Sequence, residues 1–569
     1  MKKIFALTAM SSALLLVACG GGDINLSPST ADNSVDNSVD NSVDNSVNGG
    51  GGSNPCASYV KNGITFQGQS DSGDCFYPAS FVSSNNPITA PLITFGDIND
   101  GVHEFADSLF IGEDIDATAA GNGTRIPQEG EGTKLNIDAG VTMVFKQPTS
   151  YIRITRGSQI FAEGTATAPI IFTADEDIDG TATEDDRGLW GGLQINGNGE
   201  TNKCHDGTAT GSGNGTVSDF APTANNVHNC NQVAEGQPAT YGGNKNDESS
   251  GVLKYVVVKH AGYEVIDGNE LNAVTLNAVG SGTTISYVQT YTSQDDGFEM
   301  FGGAVNLDHI VAVNVGDDSI DYSEGYKGKI QYAVVVHTSG ANRCIEGDNT
   351  GGGRSDAFTP TTNLIISNLT CVTSDIKQDA GVNTTSKGDS EGPLFREGAY
   401  FQMYNSIVTS NAVDMDSQEC LELDNSEGPE TINAAKEGIS KASSNVIACE
   451  EATKASGATK GAFDLVNWLA GGGINADTPP NANINNVIIT GADIPAQSLI
   501  VDGVGTRDYR TAATITDANG VVIFDQATQL TDVSGIDAYF TAPTYLGGAT
   551  AGDDWLNGWT VGLSAPLNP

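Results

Sequence analysis

Ile285, Leu307 and Ile330 open three short apolar runs that lie 22 and then 23 residues apart. Two acidic clusters, Asp295-Asp296-Gly297-Phe298-Glu299 and Asp317-Asp318-Ser319-Ile320-Asp321, are offset by the same 22. Apolar run and acidic cluster move together, so one unit of chain is repeated. A period of roughly 20 to 29 residues with short strands is that of a solenoid, in which equivalent positions sit about 4.8 Å apart on neighbouring strands. The carboxylates are then expected to form a ladder. If both clusters are extended, Phe298 and Ile320 share one face with Asp296 and Asp318, while Asp295, Glu299, Asp317 and Asp321 share the other. Two unit charges at that spacing repel by roughly 3 kcal/mol at an effective dielectric near 20. Such repulsion calls for a cation, a shared proton or a nearby base, which makes Asp295, Glu299, Asp317 and Asp321 candidate metal ligands. Hydrogen-bonded Asp turns that end each strand are the alternative.

The same texture runs well beyond the two clusters. From Lys134 the strings KLNIDAGVTMVF and SYIRITRGSQIFAEGTATAPIIFTA alternate apolar and polar residues and turn at Gly, Asn or Asp, as strands do. Long insertions at 196–250 and 338–361 are compatible with a solenoid, because each coil has only to stack on its neighbours. The chain therefore reads as all-β, with a cap or lead-in at 56–132, coils over 133–430 and a mixed cap region at 431–569. In that last region Ala434 to Ala455 has helix-forming composition. Trp468, Trp555, Trp559 and Tyr545 are expected to plug the open end of the core, with stacking on sugar rings as the alternative.

Charge narrows the partners. Lys and Arg number 26 against 71 Asp and Glu, a formal net charge of −45, which repels nucleic acid and anionic lipid. Acids that come in clusters point to divalent cations. The segment Asp175 to Asp186 matches the D-x-D-x-D-G calcium-loop spacing, with Asp175, Asp177, Asp179, the Thr181 carbonyl and Asp186 as ligands. Its strand-like flanks place it outside the helix-loop-helix setting, and Asp stands where Glu is usual at position twelve.

Residues 1–19 read as a targeting segment: Lys2 and Lys3 precede an apolar run too short to span a bilayer. Leu16-Val17-Ala18-Cys19 resembles the lipobox of bacterial lipoproteins. That resemblance implies cleavage before Cys19, acylation of its thiol and anchoring in the outer membrane. Residues 20–55 carry four consecutive Asp-Asn-Ser-Val units between Gly-rich stretches. Such a segment buries too little to order itself and has a reach of roughly 35 Å as a flexible tether. In an exported chain the other eight cysteines are expected in disulfides. Short gaps favour Cys56-Cys75, Cys204-Cys230, Cys344-Cys371 and Cys420-Cys449, each closing a loop rich in Gly, Asn and Asp. Zinc at Cys204, His205, His228 and Cys230 is the rival for one pair.

The phrases GTATAPIIFTA, RGLWGGLQING, SGVLKYVVVKHAG, DDGFEMFGG and GDDSIDYSEGYKGKIQY resemble a family of bacterial surface or secreted lipoproteins built on a right-handed parallel β-helix. The resemblance implies that fold and no defined activity. A D-G-F coil followed about 22 residues later by a D-D coil is also similar to polygalacturonases, another right-handed β-helix family. By that similarity Asp296, Asp317 and Asp318 would do acid/base work near His337. The N-T-D, G-H-G and R-I-K motifs of those enzymes are missing from this chain. The expected protein is thus a calcium-stabilised, non-enzymatic binding or adhesion module on the cell surface, facing extracellular polysaccharide or a surface protein. A polysaccharide-acting enzyme and an accessory lipoprotein of an outer-membrane transporter or secretion system are the alternatives.

Overall fold

Equal coil lengths put like residues in register. Ile285 pairs with Leu307, Leu307 with Ile330 and Ile330 with Ile366, all along parallel strands. The computed structural model describes residues 54–99, 101–115, 126–204, 230–266, 269–338, 341–349, 359–374, 388–410, 419–425, 430–449, 451–457, 463–473, 480–489, 500–501, 509–517, 519–553 and 555–563. Its main body is a parallel β-helix. One face is a ten-stranded sheet that starts at Leu109–Ile111, passes through Val274–Asn277, Phe298–Phe301 and Ile320–Ser323, and ends at Lys454–Gly457. The other two faces share a second sheet, whose long strands Gly251–Lys259, Thr284–Tyr291, Asn306–Val313, Lys329–Val336 and Asn363–Thr373 each turn a corner part-way along.

That corner has a fixed backbone signature. Tyr255, Tyr287, His309, Tyr332, Asn368 and Asn405 occupy successive coils at φ between 49° and 61°. Asn tolerates the left-handed region, whereas a bulky ring there is unusual. The rings compensate by stacking, with centroids 4.5 Å apart for Tyr255 and Tyr287, 4.5 Å for Tyr287 and His309, and 4.8 Å for His309 and Tyr332. This is the strand spacing itself.

Alternate side chains of every coil point inward to one continuous core that includes Leu253, Ile285, Phe298, Leu307, Ile320 and Ile330, all buried. The four expected disulfides are all present. Three of them are not the loop staples expected: Cys56-Cys75, Cys344-Cys371 and Cys420-Cys449 belong to the core and brace it from within. Only Cys204-Cys230 stands apart in its own cluster, and its bond rules out zinc on those thiolates. His205 and His228 lie outside the described residues, as do Cys19 and the tether through residue 53.

Parallel stacking also extends past both expected boundaries. It begins at Asp74–Tyr77, which pairs with His103–Phe105, and it ends at Val487–Ile489 on Val446–Ala448. Among the described residues of Ala434 to Ala455 helix is confined to the end of Glu430–Lys436, and the strands Lys441–Ser443 and Val446–Ala448 continue the coils. Inward packing there overrides helix propensity. The core is closed at one end by the hairpin Ser58–Lys61/Ile64–Gln67, with Tyr59 stacked on Phe66. At the other end the helix Leu465–Leu469 seats Trp468 near Phe401.

Trp468 thus plugs the core as expected. Trp555, Trp559 and Tyr545 do not. They lie along the outside of the helix, over Val311, Val313, Val334, Val336 and Val372. The reason lies in the strands themselves: those reading IVAV and AVVV are apolar on both faces, and a strand apolar on both faces needs cover on both.

Truncating Leu307, which is fully buried between Ile285 and Ile330, should destabilise the coil stack. Leu307→Ala is expected to cost about 2–5 kcal/mol, read as a lower denaturant midpoint by circular dichroism. An unchanged midpoint would show that this position does not carry the core.

Candidate functional site

Glu299 and Asp321 are direct neighbours on adjacent strands of the ten-stranded sheet, and Asp321 in turn pairs with Glu346. Phe298 and Ile320, one residue earlier, fill the core, so the pleat forces these three acids outward. Just upstream the chain turns. Asp295-Asp296 and Asp317-Asp318 precede the strands Phe298–Phe301 and Ile320–Ser323. Their position in turns overturns the expected side assignment: Asp296 and Asp318 do not share the core face of Phe298 and Ile320 but open onto the same cleft as Asp295, Glu299, Asp317 and Asp321.

A ladder of side-chain bonds fixes the turns from coil to coil. The Asp296 amide donates to Asn272 Oδ1 (3.2 Å), the Asp318 amide to Asp296 Oδ1 (2.9 Å) and the Arg343 amide to Asp318 Oδ1 (2.7 Å). Gly297 lets adjacent coils approach closely, since a Cβ there would lie 2.6 Å from the Ser319 carbonyl oxygen. The expected Asp turns and the expected acid ladder are therefore one structure.

The cleft holds about 320 Å³ and is lined by nine carboxyl residues, the six already named with Glu235, Glu270 and Glu346, together with Asn272, Asn342 and Arg396. Among the described residues no apolar one lines it. Arg396 Nη2 reaches Glu346 at 2.6 Å, and the guanidinium also donates to both carboxylate oxygens of Asp348. Asn342 Nδ2 donates to Asp317 Oδ1 at 2.8 Å, and Asn272 Nδ2 donates to Glu299 Oε2. Asp321 Oδ1 is a buried oxygen without a hydrogen-bond partner.

Burial, followed by mutual repulsion, pushes the carboxyls of Asp296, Glu299, Asp318 and Asp321 well above their ordinary range. The same causes raise Glu235 to about 8; burial raises Glu346 to about 7, against the opposing pull of Arg396. Three trios bring one oxygen per residue within 4.8 Å of one another: Asp295/Asp296/Asp317, Asp296/Glu299/Asp321 and Asp318/Asp321/Glu346.

The other sequence candidates are placed elsewhere. Asp175 and Asp177 lie in a single helical turn, Asp175–Ile178, and do not wrap a common centre. Asp175 pairs with Lys146 (2.9 Å) and Asp177 with Lys259 (2.6 Å), while Asp186 accepts from the amide and hydroxyl of Thr183. Burial alone would raise the Asp177 carboxyl, but bonds from His260 and Lys259 hold it below the usual range. Thr181 turns its amide back to Glu176, and Asp179 forms the helix end. These acids are engaged by lysines and local turns, contrary to the expectation of a calcium loop.

His337 is buried between Ser390 (2.8 Å) and Ser319 (3.3 Å), and burial lowers its imidazole to about 3. It is not among the cleft residues, so the expected grouping of Asp296, Asp317 and Asp318 with His337 does not form. Conversely, Glu235, Glu270, Asn272, Asn342, Glu346 and Arg396 carry no sequence motif that singles them out, yet they line the cleft. Asn272 and Glu346 occupy the coil positions of Asp296 and Asp321, but an uncharged amide in place of a carboxylate and the insertion after residue 337 hide the repeat.

A β-helix is also what comparison with known proteins returns. Residues 127–478, more than half of the sequence, match the family described as pectate-lyase-like β-helix domain. The chain belongs to that family. Searches of curated proteins and of solved structures gave no match. The matched span of this pectate-lyase-like β-helix contains every residue of the cleft.

Crowded acids leave a signature in pH. The folded cleft holds protons that the unfolded chain releases, so their stabilisation is complete below the ordinary carboxyl range and is lost as pH rises through the folded values. That window runs from the ordinary carboxyl value of 4.5 to about 8 for Glu235 and to about 7 for Glu346. In chelator-treated protein the thermal midpoint should fall across this window, and Glu299→Gln with Asp321→Asn should flatten the fall. A midpoint that rises with pH would contradict the crowding.

Proposed function

We propose that this protein is a non-enzymatic binding module whose acidic cleft is loaded with calcium and presented at the cell surface. The observation that supports this reading is the convergence of nine carboxyl residues on one water-facing cleft in which like charges are stacked by the coil register. Carboxylates and amide oxygens are hard donors, suited to calcium or magnesium rather than to thiolate-seeking metals. Calcium accepts six to eight oxygens in flexible geometry, which suits three overlapping trios better than the strict octahedron of magnesium. Asp295, Asp296, Glu299, Asp317, Asp318 and Asp321 would supply the ligands. A bound cation keeps open positions toward solvent, through which anionic groups of a polysaccharide or surface protein would be held.

The lipid anchor at Cys19 and the tether that follows complete this reading: they would hold the β-helix away from an outer membrane with its cleft accessible. Cys19→Ser is expected to move the protein from the membrane to the soluble fraction and to abolish palmitate labelling. Retention of both would remove the anchor from the proposal.

Calorimetric titration with calcium tests the cleft. Native protein should bind, Asp296→Asn and Asp321→Asn should each weaken binding by tenfold or more, about 1.4 kcal/mol, and Asp177→Asn should leave it unchanged. Native protein that gives no calcium heat would sink the cation reading.

A second reading, action on polysaccharide, is favoured by the match to a domain described as pectate-lyase-like. It keeps Asp296, Asp317 and Asp318 in the cleft but lacks His337 as a partner. Reducing-sugar release from a polysaccharide panel, abolished by Asp317→Asn, would favour that reading over the binding module.

A further inference from the structure

The segment from Gln529 to Leu563 follows the last coil and returns along the outside of the β-helix, over the corner formed by the left-handed residues. Its hold on the coils is of an unusual kind. Neither of the described strand pairs beyond residue 499, Ile500–Val501 with Arg510–Thr511 and Ile515–Thr516 with Val522–Phe524, joins a coil sheet. Instead, side-chain amides on three coils each grip the main chain of one residue at two points. Gln289 donates to the Val561 carbonyl and accepts from its amide (2.7 and 2.8 Å). Gln331 does the same with Thr541 (2.9 and 2.9 Å), and Asn405 with Thr531 (2.9 and 2.8 Å). Each of these contacts mimics one step of a strand ladder. The hold is mostly on the main chain, with Gln331 also accepting from the Thr541 hydroxyl at 3.2 Å.

Specificity comes from rings. Trp555 stands edge-on to His309 at 4.8 Å, and Trp559 edge-on to Tyr255 at 5.7 Å. At Asn368 the aromatic stack of the corner runs out. The segment supplies the next ring itself: Tyr545 lies 5.6 Å from Tyr332, and its carbonyl accepts from Asn368 Nδ2 at 2.7 Å. Leu556 and Leu563 complete the cover over Val311 and Val334.

The corner is therefore a built groove for an extended polypeptide with aromatic anchors. Its occupant comes from beyond the last coil strand, Val487–Ile489, so it can leave without breaking any coil-to-coil ladder. We propose that this groove is a peptide-docking surface whose partner is the C-terminal segment of a second copy of the chain, exchanged for the one bound in cis. Identity of sequence guarantees the fit, and exchange would link copies side by side with both acidic clefts left uncovered.

The probe is a fluorescent synthetic peptide of residues 528–563, titrated into the full chain. A chain carrying Trp555→Ala and Trp559→Ala, with its own segment loosened, should bind the peptide saturably and at least tenfold more tightly than the native chain, whose groove is filled. The same two substitutions in the peptide should abolish binding. Absence of saturable binding to the loosened chain, or equal binding to both chains, would overturn the proposal. Hydrogen exchange on the native chain decides the matter should the variant misfold. The amides of Thr531, Thr541 and Val561 should exchange at least tenfold faster than those of Val311 and Val334, and equal rates would show that the segment does not undock.

Discussion

The structure depends on stacking equal coils in parallel register. Each strand lies about 4.8 Å from the next, so whatever residue a position carries meets its own equivalent above and below. For inward positions this is favourable without qualification: Ile285, Leu307 and Ile330 bury one another, each worth roughly 1.5–3 kcal/mol. For outward positions the same rule brings Glu299 against Asp321 and Asp321 against Glu346, at a cost of roughly 3 kcal/mol per charged pair. Relief by sliding is closed off. A shift of one residue would turn Phe298 and Ile320 out to solvent and the acids into the core, and the buried side chains of the stack far outnumber the repelling pairs. The core holds the acids where they do not want to be, and protons or cations must supply the remedy.

The corner shows the same logic applied to backbone strain. A left-handed conformation costs a bulky residue about 1–2 kcal/mol, and register repeats that cost on every coil. From Tyr255 to Tyr332 it is offset by rings stacked at the strand spacing; from Asn368 onward by a residue type at ease there. The covering segment changes chemistry at the same point. Tryptophans lie over the rings, while main-chain groups meet Asn368 and Asn405. Cover and corner are matched coil by coil, which a merely apolar patch would not require.

This division explains what was legible in the sequence. The coil period, the strand register and the cysteine pairs are short-range facts, with pairs separated by 19 to 29 residues, and a repeat displays them directly. The core-closing role of Trp468 followed from its place near the last coils. The outer cover was hidden because its contacts span long stretches of chain, 126 residues for Asn405 with Thr531 and 272 for Gln289 with Val561. The acidic motif at Asp175 to Asp186 failed for the same reason. Its spacing suits a calcium loop, but Lys146 and Lys259, 29 and 82 residues away from Asp175 and Asp177, claim those carboxylates. The sides of Asp296 and Asp318 were misread for a local reason: alternation holds only in strands, and these residues end turns.

A second acidic group on the same sheet face shows that stacked acids do not by themselves make a site. Glu391, Glu419 and Glu422 bring oxygens within 4.8 Å of one another, as the cleft trios do. There the coil ladder also delivers cations. Arg343 lies 2.5 Å from Glu391 and 3.0 Å from Glu422, and Lys454 pairs with both Glu419 and Glu422. Three carboxylates and two cations pack as a buried ionic cluster, with little left to attract an ion. In the cleft, Arg396 is the one cationic side chain among the twelve described lining residues, and it is shared with Asp348. One sheet face thus meets the same repulsion in two ways, by counter-charge from Arg343 and Lys454 around Glu391, Glu419 and Glu422 and by an open, water-facing gap around Asp296, Glu299 and Asp321. It is the gap, rather than the count of acids, that sets the stretch from Asn272 to Glu346 apart and on which the proposed cation reading rests.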